Sequence, residues 1–80
     1  MKEQLITELE NLRKELLALS EELKTTGVER TSGLLEYMGN DCRFYSKSMD
    51  LFLSNDYERI RNRIFSLNAL FQTLEGKKNG

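Results

Sequence analysis

The stretch "MDLFLSNDYERIRNRIF", Met49–Phe65, decides whether the chain carries two helices or three. Upstream of it, Val28, Thr31, Leu35, Met38, Cys42, Tyr45, Met49 and Phe52 recur at steps of 3 and 4. That is the rhythm of a helix presenting one stripe to a partner. Continuing the same register through Ser54-Asn55-Asp56 would set Asp56, Arg59 and Arg63 on the buried seam. Burial does not tolerate unpaired charges. A new register starting at Tyr57 instead collects Tyr57, Ile60, Ile64, Leu67, Phe71 and Leu74. The stretch therefore reads as a break between two helices. Ser54 or Asn55 serves as the cap of the second one, and Asp56 and Glu58 suit its positive end.

Before this pair of helices lies a more regular one. Leu5, Leu9, Leu12, Leu16, Leu19 and Leu23 are spaced 4, 3, 4, 3, 4, with Glu10–Lys14 and Glu21–Lys24 at favourable helical separations. The sequence thus predicts helices over about 2–24, 27–53 and 56–75, with residues 76–80 a frayed tail, in one all-α domain spanning 1–80. Thr26 and Glu29 fit a capping box opening the second helix. Ser32 then lies inside that helix with no particular role. A start near Ser32 is the alternative, because Gly33 and Gly39 weaken the first half. Gly76 is read as the stop of the third helix, with Lys77 and Lys78 complementing its negative end.

Short connections make neighbouring helices antiparallel, so the expected architecture is an up-down-up three-helix bundle with coiled-coil-like heptad seams. The competing arrangement fuses helices two and three into a long helical hairpin that must oligomerise. Helix two adds Leu34, Tyr37, Phe44 and Leu51 to its seam, giving an apolar arc of roughly 160° at 100° per residue. That arc exceeds what one neighbour covers. Eighty residues also bury a modest fraction of their unfolded surface, which leaves stability that association would raise.

Composition excludes several kinds of work. The net charge is −1, so no overall pull toward nucleic acid or anionic lipid exists. No histidine is present, which removes Glu-x-x-His di-metal sites, the common zinc sites and a base for Cys42. Cys42 occupies a seam position and reads as a buried, inert thiol. No paired carboxylates and no glycine-rich phosphate loop are visible. We expect no enzyme, no cofactor and no metal. With no signal-peptide pattern and no apolar run of about 18 residues, the expected location is cytoplasmic, with no membrane.

Two binding readings remain. In the first, residues off the seams form an association surface: Tyr37, Phe44 and Leu51 on helix two, Phe65 on helix three, and Ile6 and Leu17 on helix one. The chain is then a small adaptor, chaperone, assembly factor or inhibitor, forming a homo-oligomer (dimer or higher) or packing on a helical protein partner. In the second, Arg59, Arg61 and Arg63, with Arg43 and Lys47, hold the phosphates of a nucleic acid or nucleotide. Helical geometry argues against one patch. With Tyr57 at 0°, Arg59 falls near 200° and Arg63 near 240°, whereas Arg61 falls near 40°, all at about 100° per residue. We read them as charges flanking a buried seam. Expected partners are Asp56 for Arg59, Glu58 for Arg61, and the row Glu8, Glu15 and Glu22 of helix one.

Overall fold

The computed structural model describes residues 1–27 and 29–78, with the side chains of Glu29, Lys77 and Lys78 outside that set. Three α-helices follow one another: α1 (Lys2–Thr25), α2 (Glu29–Lys47) and α3 (Asp56–Lys78), with a 3₁₀ turn at Met49–Leu51 after α2. All three pack together into an up-down-up bundle 41 Å long. The fused hairpin is overturned, because residues 48–55 reverse the chain between α2 and α3.

The leucine stripe of α1 is its buried face, with Leu5, Leu9, Leu12, Leu16, Leu19 and Leu23 all enclosed. Leu35, Met38, Cys42 and Met49 meet it from the second segment, and Ile60, Ile64, Leu67, Phe71 and Leu74 from α3. Tyr45, Phe52 and Tyr57 close the end of the core nearest the α2–α3 turn. Ion pairs link the ends of α1 to the second segment. Lys24, in the last turn, pairs with Glu36 of α2, and Lys2, in the first, with Asp50 of the 3₁₀ turn. Both lysines are thereby held above their usual pKa. Both pairs are exposed, so they orient the helices more than they stabilise them. Lys24 also lies 3.8 Å from Glu21, as the spacing suggested, but Glu10 and Lys14 form no ion pair among the described residues.

Thr26 ends α1 and does not open α2. Its hydroxyl donates to the Leu23 carbonyl at 3.0 Å, as the Thr25 hydroxyl does to Glu22 at 2.7 Å. Gly27 follows at φ +84° and donates its N–H to Lys24. This is the left-handed glycine stop of a helix, which satisfies carbonyls the helix leaves free. The Glu29 side chain of the expected capping box lies outside the described residues, and α2 begins at Glu29, not 27.

Ser32 is buried and far from idle. Its hydroxyl lies 2.8 Å from that of Ser20 on α1, and each hydroxyl is also 3.1 Å from the other's backbone carbonyl. Two hydroxyl protons serve three such contacts, so the pair satisfies itself inside an apolar interface. Ser20 and Ser32 together fix the register of α1 on α2 at this level.

Helix α2 stops six residues before the expected end at 53. The Ser48 N–H still reaches the Phe44 carbonyl, but Leu51 and Phe52 donate three residues back, to Ser48 and Met49. The tightened turn keeps Met49 buried and throws Leu51 outward. Phe52 then turns extended, at φ −90° and ψ 144°. A helix running to 53 would leave two residues for the reversal that packing α3 on α1 requires. At the start of α3 the Asp56 carboxylate accepts from the Leu53 N–H at 3.2 Å. Neither Ser54 nor Asn55 makes a side-chain capping bond among the described residues. At the far end Gly76 lies inside α3, which reaches Lys78. A glycine stop needs positive φ, and among the described residues Gly27 alone has it.

Candidate functional site

The six residues expected at an association surface separate into three groups. Tyr37 (68% exposed) and Phe44 (58%) stand on the outer side of α2. By helical position Leu34, Tyr37, Asp41 and Phe44 share an arc of about 80°. Leu34 is exposed as well, and Asp41 reaches across to Arg63 of α3. This set forms one continuous side of the molecule. Leu51 (84%) is exposed in the turn, beside Leu53. Phe65 (76%) lies elsewhere, in a groove between α1 and α3 with Glu8, Glu15 and Arg61. Ile6 and Leu17 are half-buried and belong to the bundle. Ile6 packs against the core, and Leu17 lies over Gly39, 3.4 Å from where a Cβ would sit.

The α2–α3 face is built around aromatic rings and two arginines. Phe44 and Tyr45 meet edge to face with centroids 5.5 Å apart, and Tyr45 and Phe52 are 6.0 Å apart. Tyr45 and Phe52 line a groove of about 370 Å³ with Asp56, Arg59, Ile60 and Arg63. Arg63 donates through Nη2 (2.8 Å) and Nε (3.2 Å) to one oxygen of Asp41, which holds its guanidinium more firmly protonated. Leu70, also exposed, lies two turns beyond Arg63 on the same side of α3. Leu70 and Leu53 were not among the residues expected at a surface. Both fall off the seam positions of the helical rhythm, which was the signal available for finding them.

The five cations expected on phosphates occupy three different faces. Arg59 and Arg63 line the α2–α3 groove, Arg61 the α1–α3 groove, and Arg43 and Lys47 a groove between α1 and α2. Their expected carboxylate partners also change. Arg63 takes Asp41, while Arg59 and Arg61 have no carboxylate within 4 Å among the described residues. Arg61 instead points its Nη2 at the Met1 sulfur, 3.2 Å away. Glu8 and Glu15 line the groove that Arg61 enters, so these two members of the acidic row of α1 face this arginine.

Cys42 is fully buried, and loss of hydration pushes its thiol up to about 11, with the neighbouring Asp41 carboxylate adding to the effect. At neutral pH it is a protonated, poorly nucleophilic group. No helix of the described residues is long and apolar enough to cross a membrane. Compared with protein families, curated proteins and solved structures, the chain finds no match.

Proposed function

We propose that the chain is a non-enzymatic helix-packing module whose α2–α3 face binds the same face of a second copy. The observation that carries this reading is the stripe Leu34, Tyr37, Asp41 and Phe44, whose apolar members stand exposed at 3- and 7-residue spacing. A two-fold axis across α2 makes such a stripe self-complementary. The Asp41–Arg63 pair within it supplies a polar contact that disfavours slipped registers. In the cell such a module works as an adaptor, assembly factor or inhibitor, and the cytoplasm suits its single buried thiol.

Magnitudes set the expected strength. Leu34, Tyr37 and Phe44 from two copies are six large side chains, each worth about 1.5–3 kcal/mol on full burial. They are already partly covered, which roughly halves the gain to about 5–9 kcal/mol. Association itself costs about 4–15 kcal/mol. The outcome is a weak dimer that dissociates on dilution.

Light scattering over about 10 μM to 1 mM tests this. The mass rises with concentration from that of the 9.4 kDa chain toward twice that value. Phe44→Glu holds it at the monomer while far-UV helicity is unchanged. A wild type that remains monomeric at about 1 mM contradicts the proposal.

A further inference from the structure

We infer that the groove between α1 and α2 is a binding site for a compact phosphate-type polyanion such as a diphosphate. It is lined by Arg13 and Lys14 of α1 and by Arg43, Ser46 and Lys47 of α2, with Glu10 its one carboxylate. Four cations against one anion make this groove strongly positive on a chain whose net charge is −1. None of the four forms an ion pair with a described carboxylate, although Asp and Glu outnumber Lys and Arg along the chain.

A second observation points the same way. The Arg13 Nε–H is enclosed and has no hydrogen-bond acceptor, and it is the one such buried side-chain atom among the described residues. Buried donors are almost always satisfied, and an orphan invites an acceptor. In the proposed complex the guanidinium turns toward an anion seated between the helices, which supplies that acceptor. Leu9 and Cys42 form an apolar floor, and low-dielectric surroundings strengthen charge-assisted hydrogen bonds. The planar fork of Arg suits phosphate oxygens, while Lys14 and Lys47 add point charges.

The groove measures about 210 Å³, and the arginines of α3 face other sides. A groove of that size favours a small ligand over a nucleic-acid strand. The site is separate from the α2–α3 face and does not depend on self-association.

The test is a titration with sodium pyrophosphate, ionic strength held constant with sodium chloride. Backbone amides and arginine Nε–H signals are followed by ¹H–¹⁵N NMR. We expect saturable shifts at the Arg13 Nε–H and at the amides of residues 43–47. Arg43→Gln with Lys47→Gln, both at exposed positions, weakens binding at least about tenfold with helicity intact. Glu10→Gln tightens it several-fold, a gain that unfolding cannot mimic. Shifts no larger than those from sodium chloride alone overturn the inference, as does a double variant that binds like wild type. A short single-stranded oligonucleotide binding more tightly than pyrophosphate at the same salt also overturns it, in favour of an extended polyanion.

Discussion

Arg63 of α3 holds Asp41 of α2 through two N–H groups on a single carboxylate oxygen, at 2.8 and 3.2 Å. The bond joins two helices that make less contact with each other than either makes with α1. Arg63 is nearly half exposed, so solvent screening limits the pair to about 0.5–1 kcal/mol. A double-mutant cycle with Asp41→Asn and Arg63→Gln should return a coupling of that size, fading as salt approaches about 1 M. The Arg59→Gln change, made as a control, should cost less than Arg63→Gln.

The Ser20–Ser32 pair should show coupling of the same sign, but from a buried contact that salt does not screen. Removing one hydroxyl leaves its buried partner short of a contact, at about 0.5–1.5 kcal/mol for either Ser→Ala change. Replacing both removes the polar pair together, so the double variant should lose less than the two single losses combined. Chemical denaturation of the four proteins checks this.

Glycine substitutions should differ in sign. Gly27 sits at φ +84° with nothing within 4 Å of the place a Cβ would take, so Gly27→Ala meets backbone strain alone, about 1–2 kcal/mol. Gly33 and Gly76 lie within helices with equally open surroundings. Alanine there should stabilise by about 0.5–1 kcal/mol. Thermal unfolding of the three variants distinguishes the two outcomes.

The buried Cys42 thiol makes stability fall at alkaline pH. In the unfolded chain it ionises near 9, and in the fold near 11. Between those values the folded state retains a proton that the unfolded state has lost, so unfolding becomes easier as pH rises. The full loss is at most about 2–3 kcal/mol, present by about pH 11 and absent below about 8. Unfolding of Cys42→Ala over the same range should show a shallower decline.

Much of the bundle was readable because leucine spacing in α1 and the re-phased seam of α3 are one-dimensional signals. The features that were not readable come from contacts between elements. Ser32 matters only because Ser20 lies opposite it, and Leu17 is covered only because Gly39 lets α2 approach. Thr26 carries the residue type of an N-cap, yet its hydroxyl serves the helix behind it. Met49 keeps the helical rhythm although the backbone there has tightened to 3₁₀, since one buried side chain satisfies either geometry. The α2 stripe was visible as an excess of apolar arc. The α1–α2 cation groove was half visible, through Arg43 and Lys47, because pairing them with Arg13 and Lys14 needs the helix packing itself.

The most direct measurement is a dilution series of ¹H–¹⁵N spectra from about 1 mM to 10 μM. Signals from Leu34, Tyr37, Asp41, Phe44 and the Arg63 side chain should move together along one binding curve, with those of Gly33 and Leu70 following weakly. The amides of Glu8 and Asn11, on the α1–α3 side, should stay fixed. Spectra unchanged over the whole range, or shifts confined to the α1–α3 groove, would contradict association through the α2–α3 face.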